Sequence, residues 1–246
     1  MTRNAKTVGI VQARLGSTRL PGKVLTDIHG QPMLWRVLQR VQAAETIEKV
    51  IVATTTKAED EAILTFCREY EVGCFRGSEE DVLDRYYQAA HELGADVIVR
   101  ITSDCPLIDP GIVDRTVRAF LREQPDYASN AVVRTYPRGL DTEAMTFAAL
   151  ERAWQEAKQS YQRVHVTPYL YENPERFRIL SLIGEKDYSD YRWTVDTRED
   201  LEFVRAVYAR LGDELFPWSA VIQLLEREPE LAEMNRSVAQ KAIRAG

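Results

Sequence analysis

The chain has 246 residues, of which 45% are hydrophobic and 28% are charged, and its formal net charge is −6 at pH 7. This length and composition suit a soluble α/β domain with a large core, and the acidic balance argues against a nucleic-acid-binding protein, because such proteins carry a basic face. Three cysteines without a C-x-x-C spacing predict free thiols, and no apolar stretch has the length of a membrane span or follows the pattern of a signal peptide. We therefore expect a cytoplasmic protein that binds neither nucleic acid nor membranes.

Apolar strands alternate with helices through the first half of the chain. Strands are predicted at 8–12 and in the segments KVIVATT, VGCF and DVIVRIT. Helices are predicted at 34–41 and 63–70, where apolar residues recur on one helical face, and at 80–93 and 112–121. Continuous apolar strands separated by helices predict a mostly parallel sheet that is covered on both faces, and such sheets bind ligands beyond the carboxyl ends of their strands.

The second half is less regular. It is predicted to contain a strand, a loop and a strand over 126–147, helices at 148–160, 164–171, 201–211 and 221–225, and strands in FRILSLI and YRWTV. Without a low-complexity linker or a repeat, we expect one domain over 1–246 with a smaller β-rich insertion. Its parts are a first half at about 1–130, a β-rich region at about 131–197, and C-terminal helices at 198–246.

The loop ARLGSTRLPGKVL follows the first predicted strand and carries Arg14, Arg19 and Lys23. It is not a Walker A motif, because five residues separate Gly16 from Gly22 and a valine follows the lysine, and G-x-G-x-x-G is absent as well. Glycines that allow close backbone approach, beside cations that neutralise spread-out charge, suit a triphosphate. The alternative is a surface turn with exposed cations.

Two aspartates lie just beyond predicted strands, where a carboxylate is well placed to hold Mg²⁺. Asp104 follows DVIVRIT, and Asp196 follows YRWTV. Asp109 is expected to cap the next helix, and Thr197 with Asp200 fits a capping box, which leaves Asp196 without a structural role. Asp104 and Asp196 would complete a magnesium site with a triphosphate if the fold brings them together; the alternative for Asp104 is an ordinary turn aspartate.

Several stretches together resemble the cytidylyltransferase family that activates sugar acids, which includes the KDO and acylneuraminate cytidylyltransferases. QARLGSTRLPGKVL is close to the signature loop of the KDO enzymes, TSDCPLID resembles their acidic second motif, and VDTREDLEFV resembles their C-terminal VDT-x-EDLE stretch. FRGSEEDVLDRYYQAA, YPRGLDTEAMT and YQRVHVTPYLY resemble the branch of spore-coat polysaccharide biosynthesis proteins. The motifs agree in order and spacing over roughly residues 7–211.

The resemblance implies a Rossmann-like nucleotidyltransferase fold of the GT-A type, with a central sheet flanked by helices, in a protein that forms a homodimer. It also implies that residues 1–130 form the nucleotide-binding half and that residues 131–197 form the region of acceptor binding and dimerisation. The implied reaction transfers CMP from CTP to a sugar acid with release of pyrophosphate, uses Mg²⁺, and serves surface polysaccharide biosynthesis. By the same resemblance Arg14, Lys23 and Asp104 are catalytic, and Asp104 and Asp196 hold the metal. The implied nucleotide-binding residues are Ala13, Arg14, Ser17, Lys23, Arg76, Thr102 and Ser103.

Two stretches depart from the KDO enzymes. The acidic second motif has Ser-Asp-Cys-Pro where those enzymes have Gly-Asp-Glu-Pro, and the sugar-facing segment differs as well. The segment RGLDTEAM also carries Asp141 and Glu143, and a carboxylate-lined pocket is an odd receptor for an anionic acid unless a metal or an arginine such as Arg138 intervenes. An amino-bearing sugar or a different hydroxylated acid is therefore expected in place of KDO. His165 lies near this region, and both a packing role and acceptor binding are open for it.

Three other functions are open from the sequence. A glycosyltransferase of related fold would consume a nucleotide sugar, but such enzymes commonly place an Asp-x-Asp pair at the metal, and the segment SDC has one carboxylate. A non-catalytic nucleotide-binding scaffold would not need two metal carboxylates at opposite ends of the chain. A nucleotidyltransferase that uses another base or acceptor fits the same motifs.

Overall fold

The computed structural model describes residues 5–241, so the first four and the last five residues of the predicted domain lie outside the described part. The strands are β1 (Thr7–Gln12), β2 (Asp27–Ile28), β3 (Gln31–Pro32), β4 (Lys49–Thr55), β5 (Gly73–Gly77), β6 (Val97–Thr102), β7 (Tyr127–Ser129), β8 (Glu143–Thr146) and β9 (Ile179–Ser181). The α-helices are α1 (Met33–Gln42), α2 (Glu61–Glu69), α3 (Val82–Leu93), α4 (Pro110–Glu123), α5 (Phe147–Glu156), α6 (Ser160–His165), α7 (Pro168–Tyr171), α8 (Arg198–Leu211), α9 (Trp218–Arg227) and α10 (Glu230–Glu233).

Seven of these strands form one sheet in the order β5-β4-β1-β6-β8-β7-β9. The strands β5, β4, β1 and β6 run parallel, β8 is antiparallel to β6 and β7, and β9 is parallel to β7. The predicted mostly parallel sheet is therefore confirmed. A separate small sheet pairs β2 with β3, whereas the strands from the second half of the chain join the main sheet.

The sheet is covered on both faces, because successive side chains of a strand point to opposite sides. Val11 and Val52 belong to the core that α1, α2, α4, α8 and α9 cover, whereas Ile10 and Ala53 belong to the core that α3 and α5 cover. All four side chains are fully buried. Burial on both faces explains why these strands read as continuous apolar runs.

Two predicted helix starts are confirmed by their side-chain caps. Asp109 accepts a hydrogen bond from the backbone N–H of Ile112, at the start of α4. At the start of α8, Thr197 accepts from the backbone N–H of Asp200, and the carboxylate of Asp200 accepts from the backbone N–H of Thr197. Because these caps are local interactions, their sequence patterns were sufficient to predict them.

Two predictions in the second half are wrong. The segment YRWTV is not a strand, because its ladder consists of a single bridge between Arg138 and Arg192, and the backbone N–H of Val195 donates instead to the carbonyl of Asp104. The predicted helix at 164–171 is also interrupted. Val166 has a φ of 73°, in the left-handed region, and this residue separates α6 from α7.

Candidate active site

A cavity of about 670 Å³ opens at the carboxyl ends of β1 and β6. Its position agrees with the expectation that ligands bind at this edge of a parallel sheet. Twelve of the thirteen site residues predicted from the sequence line it, namely Ala13, Arg14, Ser17, Lys23, Thr102, Ser103, Asp104, Arg138, Asp141, Glu143, His165 and Asp196. The fold therefore brings residues from both halves of the chain to one site.

The loop between β1 and α1 is fixed by hydrogen bonds to its neighbours. The backbone N–H of Ala13 donates to the carbonyl of Ala53, and that of Leu15 donates to the buried carboxylate of Asp60 at 2.7 Å. Gly22 has a φ of 69°, a conformation that glycine adopts without steric cost, and it precedes a 3₁₀-helix at Lys23–Leu25. This turn directs the Lys23 side chain into the cavity.

The Lys23 ammonium group lies between two carboxylates. Its Nζ atom donates to Oδ2 of Asp104 at 3.1 Å, to Oδ1 of Asp196 at 2.9 Å and to the carbonyl of Val195 at 2.6 Å. Burial lowers the pKa of Lys23, but the two carboxylates raise it by more, so that the net pKa lies above its ordinary value. The lysine is therefore fully charged at neutral pH.

Asp196 is surrounded by cations. Besides Lys23, Arg19 and Arg192 each place a guanidinium nitrogen 2.8 Å from its Oδ2 atom. Burial alone would raise the pKa of Asp196, but Lys23, Arg19 and Arg192 lower it by more, and its net pKa lies below the ordinary value. Asp196 is therefore an anion at neutral pH.

The donor set of Asp104 and Asp196 suits one kind of metal site. No group of three or more histidine, cysteine or acidic side chains that could hold a metal occurs within residues 5–241. Mg²⁺ bound with a triphosphate needs only one or two protein carboxylates, because phosphate oxygens and water supply the other ligands. Two carboxylates that contact the same ammonium group at the wall of one cavity meet that requirement.

The two acidic side chains of the expected acceptor pocket are both neutralised. Asp141 accepts two hydrogen bonds from Arg134, at 2.5 and 2.7 Å. Glu143 accepts from Arg100 and, at 2.5 Å, from the hydroxyl of Tyr127. Asp141 and Glu143 line the cavity as expected, and the arginines that intervene are Arg134 and Arg100 in place of Arg138. The physical reason lies in the sheet, because β6 and β8 pair antiparallel with Arg100 directly opposite Glu143.

Arg138 also lines the cavity, and its backbone forms the isolated β-bridge with Arg192. Within residues 5–241 no carboxylate lies at ion-pair distance from its guanidinium group, and burial together with the nearby Arg134 lowers its pKa below the ordinary value. Counted over the whole wall, seven basic side chains face four carboxylates. The basic residues are Arg14, Arg19, Lys23, Arg100, Arg134, Arg138 and Lys241, and the acidic ones are Asp104, Asp141, Glu143 and Asp196. An acidic protein thus carries a cationic cavity, which suits an anionic ligand.

Arg76 is the one predicted site residue that the fold does not bring to the cavity wall. Its guanidinium group donates to the backbone carbonyls of Thr55 and Lys57 at 3.0 and 3.1 Å and pairs with Glu61 at 2.6 Å. These contacts hold the loop after β4 in place.

Several residues of the site were not among the individual site residues predicted from the sequence. Arg19 was visible as a third cation of the loop. The roles of Arg100, Tyr127 and Arg134 depend on strand pairing and loop packing, for which the sequence carries no short-range signal. Gln240 and Lys241 reach the cavity from the far end of the described chain.

Two further expectations concern the whole chain. The three cysteines are free thiols, as predicted. Within residues 5–241, no helix is both long enough and apolar enough to cross a membrane.

Comparison with known proteins places this chain in a family. A family model described as cytidylyltransferase matches residues 8–242. The spore coat polysaccharide biosynthesis protein SpsF of Bacillus subtilis is 32% identical over 231 residues, which cover 91% of this chain and 95% of SpsF. The structure of a cytidylyltransferase from Leptospira borgpetersenii superimposes with a TM-score of 0.91 and 34% identity, covering 97% of this chain and all of that chain.

The fold is shared more widely. A structure of CMP:2-keto-3-deoxy-manno-octonic acid synthetase complexed with CTP is similar over 84% of this chain and 99% of that chain, with a TM-score of 0.64 and 22% identity. The resemblance that the motifs indicated is confirmed by the family match over nearly the whole chain. This chain belongs to the cytidylyltransferase family.

Proposed function

We propose that this protein transfers CMP from CTP to a hydroxyl group of a sugar acid or a related hydroxylated acid, with Mg²⁺ as cofactor. The observation that carries the proposal is the Lys23 ammonium group, held between Asp104 and Asp196 at the wall of a cationic cavity. In this reaction the acceptor oxygen forms a bond to the α-phosphorus, the bond to the pyrophosphate oxygen breaks, and the hydroxyl proton is released.

In this proposal the basic residues of the site bind the phosphates of CTP, and the acidic residues bind the metal. Arg14, Arg19 and Lys23 bind the triphosphate and neutralise the leaving pyrophosphate, which is most of what such a transfer requires. Asp104 and Asp196 would hold Mg²⁺. When bound, the metal supplies charge neutralisation across the phosphates. The remaining nucleotide contacts come from Ala13, Ser17, Thr102 and Ser103, which lie at the carboxyl ends of β1 and β6.

The acceptor is proposed to be anionic. Because Arg134 and Arg100 neutralise Asp141 and Glu143, the pocket does not repel a carboxylate, and Arg138 is available to bind one. His165 lines the same cavity. Of the two acceptors that the sequence left open, this arrangement favours a hydroxylated acid over an amino-bearing sugar. The similarity to SpsF supports a role in surface polysaccharide biosynthesis.

The first test is nucleotide binding, because it does not depend on knowing the acceptor. Thermal unfolding is measured with CTP, UTP, GTP and ATP, each with Mg²⁺ and with EDTA. A ligand at 100 times its dissociation constant adds about 2.7 kcal/mol to the free energy of unfolding. At this chain length that corresponds to a rise in Tm of about 5–10 °C, which we expect for CTP with Mg²⁺.

A matched pair of lysine variants makes the test specific to the site. Lys23→Met is expected to lose the CTP shift, whereas Lys49→Met, at the amino end of β4, keeps it. A panel of sugar acids with CTP is then assayed for pyrophosphate release. A shift with a nucleotide sugar and none with any triphosphate would contradict the proposal and favour a glycosyltransferase. CTP binding without release of pyrophosphate from CTP in the presence of any of the hydroxylated acids would favour a binding module.

A further inference from the structure

The three cations that contact Asp196 are Arg19, Lys23 and Arg192, and they come from two different parts of the chain. Arg19 and Lys23 belong to the loop that, in the proposed function, binds the triphosphate. Their contacts with Asp196 compete with contacts to phosphate oxygens. Arg192 lies outside this loop, and its Nη2 atom is 2.8 Å from Oδ2 of Asp196. Arg192 is therefore the cation whose contact with Asp196 does not depend on whether a nucleotide is bound.

Arg192 itself is held in one orientation. Its Nε atom donates to Oδ1 of Asp200 at 2.8 Å, and its Nη2 atom donates to Oδ2 of Asp200 at 3.1 Å. The side chains of Arg192 and Asp200 are 8% and 0% exposed. Breaking a buried pair of this kind leaves an uncompensated charge, so the pair has one strongly preferred geometry. Asp200 is fixed in turn, because it completes the capping box of α8.

Asp200 also holds the backbone at Asp196. Its Oδ2 atom accepts from the backbone N–H of Asp196 at 2.9 Å, in addition to the contact with Arg192. One buried carboxylate thus fixes the main chain of Asp196 directly and its side chain through Arg192. The orientation of the Asp196 carboxylate is set by this pair.

The end of the described chain completes the arrangement. Asn235 donates from its Nδ2 atom to the carbonyl of Arg192 at 2.8 Å and to Oδ1 of Asp200 at 2.9 Å. Gln240 accepts from Nη1 of Arg192 at 2.5 Å and also lines the cavity. Two side chains that follow α10 therefore contact the arginine that holds Asp196.

We propose that Arg192 is a positioning residue that fixes the Asp196 carboxylate for Mg²⁺, and that the C-terminal segment 235–240 holds Arg192 in place through Asn235 and Gln240. The proposal rests on the proposed function, because it assigns the metal to Asp104 and Asp196. Hydrogen-bond partners of metal-binding side chains commonly change metal affinity by about 10- to 100-fold when they are removed.

The test measures CTP binding by titration calorimetry, in Mg²⁺ and in EDTA, for Arg192→Lys, Gln240→Ala and a control. Lysine keeps the charge but lacks the planar fork that contacts Asp196, Asp200 and Gln240 together. The control is Arg236→Ala, which lies in the same segment, has a side chain that is 74% exposed and pairs with Glu233. The quantity compared is the ratio of the two CTP dissociation constants, which reports how much Mg²⁺ improves binding.

In Arg192→Lys we expect this Mg²⁺ enhancement to fall by about 10-fold or more, while CTP binding in EDTA stays within about twofold of wild type. In Arg236→Ala both constants stay at the wild-type values. An unchanged enhancement in Arg192→Lys overturns the proposal. A parallel loss of affinity in both buffers, accompanied by a lower Tm, also overturns it, because that result indicates a purely structural role.

If the Arg192→Lys variant does not fold, the Gln240→Ala variant tests the positioning role of Arg192. The proposal then stands only if the Mg²⁺ enhancement falls by about threefold or more in this variant, since Gln240 contacts Asp196 solely through Arg192. Failure of the proposed function gives a different result. In that case wild-type protein itself does not bind CTP in either buffer.

Discussion

The Nζ atom of Lys23 lies 2.9 Å from Oδ1 of Asp196, although 173 positions separate the two residues in the chain. The contact joins the loop after β1 to the loop before α8, and the same Nζ atom also contacts Asp104 after β6. The two carboxylates that the sequence singled out therefore share one ammonium group. Four predictions follow from this site and the segments that hold it.

Replacing Asp104 should lower catalytic activity while leaving the stability of the fold nearly unchanged. We expect Asp104→Ala to lower CMP transfer by about 100-fold or more, because it removes one of the two carboxylates that we propose hold Mg²⁺. The free energy of unfolding should change by less than about 1 kcal/mol, since the Asp104 side chain is 26% exposed and Lys23 keeps its contact with Asp196. Steady-state kinetics and urea unfolding measure the two effects.

The neighbouring Asp109 is the matched control for that variant. Its side chain caps α4 and accepts from the backbone N–H of Trp218, so Asp109→Ala should cost about 1–2 kcal/mol of stability. Turnover by the folded protein should persist. Full activity in Asp104→Ala would remove the metal assignment, whereas loss of activity in both variants at unchanged stability would indicate that the assay does not distinguish them.

The stability that Asp196 contributes should depend on pH. Because its cationic partners hold the pKa of Asp196 below the ordinary value of 3.8, its contribution is present above that pH and is lost as the pH falls through the folded-state pKa. At pH 7 we expect Asp196→Asn to be less stable than wild type by about 1–3 kcal/mol. The difference should shrink below a pH of about 4. Urea unfolding of both proteins in EDTA, at pH values from 7 to below about 4, measures this difference in the free energy of unfolding. A difference that does not vary with pH would contradict the assignment of Lys23, Arg19 and Arg192 as the partners of Asp196.

A substitution at Gly139 tests whether the β-bridge between Arg138 and Arg192 depends on close packing of the two backbones. This glycine has a φ of 111°, and a Cβ atom there would lie 2.7 Å from the backbone carbon of Trp193. Gly139→Ala should therefore lower the free energy of unfolding by about 3 kcal/mol or more, through backbone strain and displacement of the segment before Asp196. Urea unfolding gives the value, and CMP transfer should fall with it.

Gly94 provides the comparison, because it has a φ of 56° at the end of α3 with nothing within 4 Å of an added Cβ atom. Gly94→Ala should cost only about 1–2 kcal/mol, the cost of the left-handed conformation alone. Equal losses in the two glycine variants would mean that contact with the Trp193 backbone does not matter.

Arg138 should determine affinity for an acidic acceptor. We expect Arg138→Met to raise the KM for the acceptor by about 10- to 100-fold, the value of a hydrogen bond to a charged group. The KM for CTP should stay within about twofold of wild type. Arg122→Met is the control, because Arg122 is 71% exposed on α4 and pairs with Glu123. An unchanged acceptor KM together with an unchanged kcat would remove Arg138 from the acceptor site.

Short-range patterns determined much of this protein. Runs such as KVIVATT predict buried strands because both faces of the sheet are covered, and Asp109 and Thr197 mark helix starts because a cap contacts residues within one turn. The basic loop with Lys23, the carboxylates of Asp104 and Asp196 and the family were all recognisable in the sequence, since each rests on neighbouring residues in a fixed order.

Tertiary structure decided what depends on distant contacts. The sequence could not indicate that Arg100 neutralises Glu143, because that pairing follows from the register of β6 against β8. The segment YRWTV has the composition of a strand, yet it forms a single β-bridge, between Arg138 and Arg192. The backbone N–H of Val195 donates to the carbonyl of Asp104 and thereby joins this segment to the site. The contact between Arg192 and Gln240 joins residues 48 positions apart. Patterns of residues report local conformation, whereas the charge of the cavity and the support of Asp196 arise only where separate segments pack together.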